Sequence, residues 1–460
     1  MSPRINSFIA NVKNSAKSWL AGDKSSVTTA EQHIVSRDQH SISRKDISDN
    51  ALKVLYRLKK GGYEAFLVGG GVRDILLGLH PKDFDIATNA TPEQCRKLFR
   101  NCRIVGRRFK LAHILFGRDV IEVATFRAHC DDNIEQGQEG MILRDNVYGS
   151  IEEDAIRRDF TINALYYNIN DFSVHDYCGG LTDLRKRQLR MIGDPETRYR
   201  EDPVRMLRAV RLETKLDLTI EKNTLRPIDE LSNLLKQVPA ARLWEEYRKM
   251  FLSGHGLKTF AALREHGLFH ALFPATDRAL IQDNSDSILA LIEHALINTD
   301  NRIREEQSVN PAFLIAVLLW QPLLDHAESM QRKGVNFNDA FFKSMGKVLA
   351  SQSEHISIPR RYSLVIRDIW ALQLRLPMNY GKKAYQVLEH PRFRAAYDFL
   401  VLRSQAEEKH QELAQWWTEF QDMSPEKRRT VLRNNHKNSG PKRRYRSKKR
   451  KTTPQTHSQN

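Results

Sequence analysis

The sequence has 460 residues, of which 28% are charged and 40% hydrophobic, and its formal net charge is +17. This length allows two or three domains with their own cores, and the sequence has no run of about 18 uncharged apolar residues that could cross a membrane as a helix. Four cysteines without C-x-x-C spacing argue against a disulfide scaffold and against structural zinc, which favours a reducing, cytoplasmic location.

The chain begins with a polar, Ser-rich stretch, so we predict a disordered extension over residues 1–45. The first strong pattern is an apolar run that stops at three consecutive glycines. Glycine lets backbone N–H groups approach a phosphate, and the helix predicted to begin here would direct the positive end of its dipole at an anion. We therefore predict that Gly69 and Gly70, with the fixed charge of Arg73, hold a triphosphate.

Two acidic residues, Asp83 and Asp85, follow this turn. In an extended chain residues two apart point to the same face, so the carboxylates project together. Such a pair can hold two Mg²⁺ ions roughly 3.5–4 Å apart, the arrangement that activates an attacking hydroxyl in nucleotidyl transfer. A glycine turn is most often only a turn and an Asp-x-Asp strand usually a solvated face, but their order favours phosphoryl chemistry. A Rossmann dinucleotide site is disfavoured because Asp74 replaces its third glycine.

The next segment contains a helix start and further strands. Thr91 and Pro92 predict the N-cap and first residue of a helix. In the segment IVGRRFKLAHI that follows, Arg107 and Arg108 are either a solvated basic face or phosphate ligands. Glu122, in the middle of a strand pattern, is either a surface residue of a half-exposed strand or a third metal ligand beside the Asp-x-Asp pair.

Two later motifs combine basic and acidic residues. The segment RRDFTINAL contains two adjacent arginines followed by an acid. The helix dipole explains the acidic residues that precede this segment, but it does not explain the two arginines and the acid. Farther along, Asp202 and Pro203 predict the N-cap and first residue of a helix whose Arg205 and Arg208 form a basic face opposite apolar residues.

Together, VGGGVRDILLG with KDFDIAT, IVGRRFKLAHI, RRDFTINA and EDPVR resemble the motifs of the class II nucleotidyltransferases. This group of the DNA polymerase beta superfamily contains bacterial poly(A) polymerases and tRNA CCA-adding enzymes, and the resemblance covers roughly the first half of the chain. It implies an α/β nucleotidyltransferase (polymerase beta-like) head followed by an all-α neck and body, with Mg²⁺ as cofactor bound by Asp83 and Asp85.

The resemblance also implies roles for single residues. Arg157, Arg158 and Asn163 would line the nucleotide pocket. Asp159 is counted with the catalytic carboxylates in bacterial poly(A) polymerases, so it competes with Glu122 for the third catalytic position and both stay candidates. In the EDxxR motif the Asp and Arg read the incoming base, and these positions are Asp202 and Arg205 here; Arg208 joins the same nucleotide-binding set.

The domain boundaries follow from these motifs and from charge. We predict a catalytic domain over residues 46–195, a helical neck over 196–260, a helical RNA-binding body over 261–425 and a disordered basic tail over 426–460. Thirteen Lys and Arg and no acid lie between Lys427 and Lys451, so the rest of the chain carries only +4 of the formal charge of +17. The tail is either a solubilising segment or a nonspecific RNA clamp.

The predicted activity is template-independent addition of AMP from ATP to RNA 3′ ends, a polyadenylation that promotes RNA processing and decay. RNA 3′ ends and ATP are the expected partners, together with RNA-decay proteins that the sequence does not identify. A tRNA CCA-adding enzyme shares every motif of the head, but the IVGRRFKLAHI segment and the basic tail favour a poly(A) polymerase. The intact Asp-x-Asp and EDxxR motifs disfavour a third alternative, a non-catalytic RNA-binding protein.

Overall fold

The computed structural model describes residues 33–106, 110–128, 147–406 and 410–438, with the backbone alone at 135–136, 142–144 and 433–438. The chain divides into two compact units, Met1–Met250 with Lys258–Leu272 and Phe251–Leu257 with Phe273–Asn460. Within the described ranges, no helix combines the length and apolar character needed to span a membrane.

Strands occur in the first unit. They are β1 (His33–Val35), β2 (Ala65–Val68), β3 (Asp85–Thr88), β4 (Cys102–Val105), β5 (Leu111–Phe116), β6 (Asp119–Thr125), β7 (Glu135–Gln136), β8 (Ile142–Arg144), β9 (Leu165–Asn168), β10 (Val174–Asp176), β11 (Gln188–Leu189) and β12 (Thr219–Ile220). The helices up to Leu272 are α1 (Asp49–Lys60), α2 (Gly70–Leu76), α3 (Pro92–Leu98), α4 (Ile151–Ile156), α5 (Gly180–Arg185), α6 (Pro195–Glu201), α7 (Val204–Leu216), α8 (Lys222–Leu225), α9 (Ile228–Leu231), α10 (Ala240–Phe251), α11 (Gly256–Glu265) and α12 (Phe269–Leu272).

An eight-stranded sheet organises this unit, in the order β1-β10-β9-β2-β3-β6-β5-β4. The β3 and β6 strands pair in parallel, whereas the other neighbours pair antiparallel. All four residues of β2 are buried, which fits its place in the middle of the sheet. Strand β2 leads into the glycine turn and β3 starts at Asp85. The sheet therefore brings the two predicted halves of the site to the same end of two neighbouring strands.

The predicted extension over residues 1–45 is wrong for residues 33–45. Strand β1 pairs with β10 at the edge of the sheet, and Ser43 begins a short 3₁₀ helix, Arg44–Asp46, with a capping box. Ile42 is fully buried. A three-residue strand is too short to give a period, and its hydrogen bonds come from a partner strand far along the chain, so the local pattern does not reveal it. Residues 1–32 lie outside the described ranges.

The regular elements described in the second unit after Leu272 are helices. They are α13 (Pro274–Gln282), α14 (Ser287–Arg304), α15 (Pro311–Leu318), α16 (Trp320–Arg332), α17 (Phe337–His355), α18 (Arg360–Arg375), α19 (Gly381–Leu388), α20 (Phe393–Ala406), α21 (Gln411–Asp422) and α22 (Pro425–Asn438). Trp417 and Phe420 are fully buried in a core cluster of this unit. A mixed-sheet head followed by a helical body is the predicted fold class, which is confirmed.

The predicted disorder of the tail is wrong for its first part. Helix α22 covers Pro425–Asn438, and Leu432 is buried in the same cluster as Trp417. The predicted body ends at Pro425, but proline is also favoured at the first position of a helix, the place it occupies here. Residues 439–460 lie outside the described ranges.

Candidate active site

The backbone of the glycine turn lies close to the side chains of Arg158 and Asp85. Gly69 has φ +73°, in the left-handed region that favours glycine, and it directly precedes α2. A Cβ atom on Gly69 would lie 3.6 Å from Nη1 of Arg158 and 3.9 Å from Oδ2 of Asp85. Gly70 begins α2, and the first N–H groups of a helix have no partner within the helix. The turn, Asp85 and Arg158 therefore adjoin, as a site for a phosphate beside a metal requires.

Arg73 does not reach into this site. Its guanidinium is buried, donates to Oδ1 of Asp74 over 2.8 Å and also donates to the side-chain oxygen of Asn163. It lies beneath the turn, 3.4 Å from where a Cβ on Gly70 would stand. The prediction that Arg73 contacts the triphosphate directly is wrong for this side-chain arrangement, because the neighbouring acid and amide hold the guanidinium inside the protein.

Three carboxylates lie at the end of the sheet where β3 begins. Asp85 opens β3 and is in parallel register with Glu122 on β6, and both side chains are exposed. Asp83 precedes the strand and is also exposed. His113 on the neighbouring strand β5 is in register with Glu122, and its Nε2 stands 3.5 Å from a carboxylate oxygen of Glu122. The sheet thus brings Glu122 beside Asp85; we refer to Asp83, Asp85 and Glu122 as the open carboxylates.

The pKa of Asp85 reflects this crowding. Although its carboxylate opens to solvent on one side, desolvation by surrounding protein atoms is the largest cause that raises its pKa to about 6. Repulsion from Glu122 and Asp83 raises the pKa further, against attraction from Arg158 and Arg208. A site that penalises its own negative charge is suited to an added cation.

The donor set of the open carboxylates fits Mg²⁺. Among the residues that the structure describes, no three His, Cys, Asp or Glu side chains are grouped closely enough to hold a metal ion. Mg²⁺ does not need such a cage, because it is typically held by one or two carboxylates while water and substrate phosphates complete its coordination. Asp83 and Asp85 supply two such oxygen donors.

The other candidate for the third carboxylate, Asp159, is engaged elsewhere. Its buried carboxylate accepts hydrogen bonds from Nε of Arg208 over 2.8 Å, from Nδ2 of Asn163 over 3.0 Å and from the N–H of Phe160 over 2.8 Å. Burial alone would raise its pKa, but attraction to Arg208 and these hydrogen bonds hold the pKa well below the usual range of an aspartate. Asn163 therefore links Asp159 to Arg73 rather than lining an open pocket.

The two adjacent arginines have different surroundings. Nε of Arg158 donates to the hydroxyl of Tyr166 over 2.8 Å and its Nη2 donates to Asp154 over 3.0 Å, while Nη1 faces the glycine turn. Arg157 donates to the carbonyl of Ala128 over 2.6 Å, and burial, with repulsion from neighbouring arginines, lowers its pKa to about 10. Of the predicted pair, the structure thus places Arg158 at the site.

The EDxxR residues each have a partner of their own. The carboxylate of Asp202 accepts two hydrogen bonds from Arg242, over 2.8 and 2.7 Å. Nη1 of Arg205 donates to Glu201 over 2.8 Å. Helix α7 begins at Val204 with Pro203 as its N-cap, one residue later than predicted, although Oδ1 of Asp202 accepts the Val204 N–H over 3.3 Å as a capping side chain does.

Sequence reasoning missed three residues of this region. Asp154 holds Arg158 at the spacing i, i+4, a signal that was available. Arg198 is buried and donates to the carbonyls of Arg157 and Arg158 over 2.6 Å each. The contacts of Arg198 with the RRD segment and of Arg242 with Asp202 leave no local pattern, because these partners are about 40 residues away in sequence. The predictions for Arg107 and Arg108 lie outside the described residues.

Three family descriptions match the chain. They are "Poly A polymerase head domain" over residues 65–190, "Probable RNA and SrmB- binding site of polymerase A" over 217–280 and "Polymerase A arginine-rich C-terminus" over 333–451. The chain is 54% identical over 430 residues to "Poly(A) polymerase I" of Salmonella typhi, covering 92% of each sequence. To the "CCA-adding enzyme" of Lactobacillus helveticus it is 37% identical over 217 residues, which is 47% of this chain and 53% of that enzyme.

A solved structure described as "tRNA-processing enzyme (apo form I)" superposes with a TM-score of 0.57 at 21% identity, covering 85% of this chain and 99% of that one. This likeness concerns the fold alone. The match to poly(A) polymerases extends over almost the whole chain, whereas the match to a CCA-adding enzyme ends at about half of it. The preference for poly(A) polymerase over the two alternatives is therefore confirmed. The chain belongs to the bacterial poly(A) polymerase family and is a polynucleotide adenylyltransferase.

Proposed function

We propose that the open carboxylates catalyse template-independent transfer of AMP from ATP to the 3′-OH of RNA. The observation that carries this proposal is the position of Asp85, which lies against the glycine turn and in register with Glu122. Backbone N–H groups that can bind a phosphate, beside carboxylates that can bind a cation, are what nucleotidyl transfer needs.

Each side chain has a role that follows from its position. Asp83 and Asp85 would hold Mg²⁺, which would lower the pKa of the RNA 3′-OH and polarise the phosphates. Glu122 is our third catalytic carboxylate because it adds negative charge in register with Asp85. The N–H groups at the start of α2 and Nη1 of Arg158 face the same space as Asp85 and would hold the triphosphate.

We assign Asp159 and Asn163 a positioning role rather than a metal-binding one. Asp159 joins the RRD segment to helix α7 through Arg208, and Asn163 joins it to Arg73 beneath the glycine turn. This chain of contacts fixes the turn relative to the helix that carries Arg205. We keep for Asp202 and Arg205 the role that the family motif implies, hydrogen bonding to the incoming base.

RNA binding draws support from the matched description that covers residues 217–280 and from the basic C-terminus. We propose that residues 439–460 add nonspecific affinity by releasing counterions from RNA. Truncation after Asn438 keeps α22 and should make the plot of log affinity against log salt shallower by roughly 0.7 for each phosphate neutralised. An unchanged slope would mean that this segment does not contact RNA.

The cellular context is part of the same proposal. Cys95, Cys102 and Cys178 carry free thiols, which supports a reducing cytoplasm as the location. In that setting adenylated 3′ ends would enter RNA processing and decay, with RNA-decay proteins as partners.

One assay tests the proposed function. Purified protein receives either a short oligo(A) primer or a tRNA that lacks its CCA end, each with ATP or CTP. We expect repeated AMP addition to oligo(A), with ATP favoured over CTP at least tenfold, the discrimination that about 1.4 kcal/mol of hydrogen-bond mismatch provides. Restoration of CCA on the tRNA, without extension of oligo(A), would contradict the proposal and support a CCA-adding activity.

A further inference from the structure

Helix α18 carries a row of arginines that have no acidic partner, which we call the unpaired arginines: Arg360, Arg367 and Arg375. Their spacing of i, i+7 and i+15 places them on one face of the helix. Within the described part of the chain, none of the three guanidinium groups makes an ion pair or a hydrogen bond. Asp368, the single acid of this helix, pairs with none of them.

Other exposed arginines of the second unit are engaged within the protein, and we call them the paired arginines: Arg304, Arg332 and Arg394. They donate, in that order, to side-chain oxygens of Asn301, Glu328 and Asp398. A guanidinium presents several N–H donors in a planar fork that matches a phosphate or a carboxylate. The row on α18 is therefore positive charge that the folded chain itself leaves unused.

Two large apolar side chains are exposed close to this row. Leu364 lies on the same face of α18, between Arg360 and Arg367, and is 55% exposed, while Phe342 on α17 is 53% exposed. The ring of Phe342 stands perpendicular to that of buried Phe341, with the centroids 6.2 Å apart, so a buried ring supports the exposed one. A single exposed apolar residue is ordinary on a protein surface, but these two accompany unpaired cations.

Gly346 brings α17 close to the unpaired arginines. It lies one helical turn after Phe342, and a Cβ atom on it would stand 3.1 Å from Nη2 of Arg367. The guanidinium thus lies near the backbone of α17, and a side chain at Gly346 would displace it. We refer to Phe342, Gly346 and Leu364, with the unpaired arginines, as the α17–α18 face.

We propose that the α17–α18 face binds single-stranded RNA upstream of the 3′ end that reacts. Surfaces that bind single strands combine cations for the phosphates with aromatic rings on which bases stack, and guanidinium planes add stacking of their own. Arg360 and Arg375 lie about 22 Å apart along the helix, at 1.5 Å per residue, which is enough for several nucleotides.

The inference rests on the proposed RNA substrate and assigns one of its binding surfaces. The reacting 3′ end belongs to the open carboxylates of the first unit, so RNA held by the second unit is an upstream segment. The enzyme must hold a polyanion, which makes RNA the occupant that the charge favours over an acidic protein segment.

The test compares three variants of the full-length protein. One changes all unpaired arginines to Gln, a matched control changes all paired arginines to Gln and so removes the same charge from the same unit, and the third is Phe342→Ala. Steady-state kcat and KM are measured with an oligo(A) primer of about 4 nucleotides, the lower end of single-strand site sizes, and with one about ten times longer. The affinity for the long primer is measured at several salt concentrations, together with the thermal midpoint.

We expect the unpaired-arginine variant to weaken binding of the long primer. Its plot of log affinity against log salt should become shallower by about 2, which is 0.7 for each of three phosphates. Phe342→Ala should weaken the same binding about fivefold or more without changing the slope, because it removes a stacking ring and no charge, and Phe342→Tyr should keep wild-type affinity. The paired-arginine variant, and all measurements with the short primer, should match wild type.

An equal change of slope in the two arginine variants would reveal charge without a defined surface and would overturn the inference. Unchanged long-primer binding in the unpaired-arginine variant would overturn it as well, and would leave an acidic protein segment as the occupant that the charge fits. If that variant has a lower thermal midpoint, Arg367→Gln and Phe342→Ala decide singly by the same criteria. A wild type that extends neither primer contradicts the proposed AMP transfer, whereas normal extension by wild type with unaffected variants contradicts this inference alone.

Discussion

Two sets of carboxylates in the first unit contrast in their surroundings. The open carboxylates repel one another, and desolvation of Asp85, with this repulsion added, raises its pKa to about 6. Asp159 is largely shielded from solvent, yet Arg208 and its hydrogen bonds hold its pKa well below the usual range. The same side chain thus carries an unrelieved charge in one region and a neutralised charge in the other. The first arrangement is suited to binding an added cation, whereas in the second the guanidinium of Arg208 already supplies the positive charge.

The neutralised set has further members, which we call the braced carboxylates: Asp154, Asp159, Glu201 and Asp202. Each accepts hydrogen bonds from arginine, and the contacts of Asp159 and Asp202 join segments that are 49 and 40 residues apart in sequence. The comparison teaches that acidic residues near this site divide into exposed ones that are suited to a metal ion and others that arginines hold in place. Substitutions should separate the two sets. Loss of an open carboxylate should remove activity, whereas loss of a braced carboxylate should loosen the contacts that it makes with arginine.

The largest effect should come from Asp85→Asn or Asp83→Asn. Each removes a charge that would hold Mg²⁺, whose contribution of several kcal/mol corresponds to about a thousandfold or more in turnover. Primer extension and circular dichroism are the measurements, with Asp119→Asn, at an exposed carboxylate that starts β6, as the control. A folded Asp85→Asn protein with more than about a tenth of wild-type turnover, a loss of under 1.4 kcal/mol, would show that Asp85 is not a metal ligand.

Breaking a brace should instead cost stability. Asp154→Asn removes the charge that Arg158 and the hydroxyl of Tyr166 share, over 3.0 and 2.6 Å, and leaves the partly buried guanidinium of Arg158 without its ion-pair partner. We expect a loss of about 3 kcal/mol, seen as a lower thermal midpoint. Glu152→Gln, at an exposed acid on the same helix, provides the control. Equal midpoints for the two variants would remove Asp154 from the braced set.

A third comparison decides between the rivals for the third catalytic position. Glu122→Gln should lower turnover by about a hundredfold, equal to about 2.7 kcal/mol, with little change in the KM for ATP. Asp159→Asn should raise the KM for ATP more than it lowers turnover, because it loosens Arg208 and Asn163. The measurement is steady-state extension of oligo(A) at saturating Mg²⁺. The opposite assignment of the two effects would make Asp159 the third carboxylate.

The sequence indicated where the open carboxylates lie, while their catalytic role stays a prediction. Asp83 and Asp85 were found from alternation, and Glu122 from its place in a strand pattern. The predicted N-cap at Thr91 is confirmed, since its side chain accepts the N–H of Gln94 over 3.3 Å and its own N–H donates to Oε1 of Gln94 over 2.7 Å. The Asp-x-Asp spacing and the cap depend on residues a few positions apart, whereas the place of Glu122 beside Asp85 depends on the pairing of β3 with β6.

The braces were not predictable in the same way. Arg242 and Asp202 meet only after two helices have packed, and no period or motif marks an arginine that will face a particular acid. Arg73 was misjudged for a related reason: its charge is evident in the sequence, but its burial against Asp74 and Asn163 depends on the sheet beneath the turn. A charged residue in a motif therefore predicts a role in the site more safely than it predicts contact with the ligand.

The smallest effect concerns stability without metal. The ordinary pKa of Asp85 is 3.8 and its folded value is about 6, so between these values the folded protein holds a proton that the unfolded chain releases. Stability therefore falls as the pH rises through this window, and above pH 6 ionised Asp85 destabilises the fold. Asp85→Asn cannot ionise, so with a chelator present it should unfold at a higher temperature than wild type at neutral pH and lose this advantage as the pH falls toward 4.

Mg²⁺ should reverse this order. A cation that binds Asp85 in the folded protein alone stabilises that state by mass action, so the thermal midpoint of wild type should rise with added Mg²⁺ at neutral pH and that of Asp85→Asn should not. The open carboxylates would then trade stability for activity, whereas Asp154→Asn should be less stable than wild type with or without the ion. Wild type could instead prove more stable than Asp85→Asn at neutral pH in chelator. In that case other groups of the protein already compensate the charge of Asp85, and the contrast between open and braced carboxylates does not hold for it.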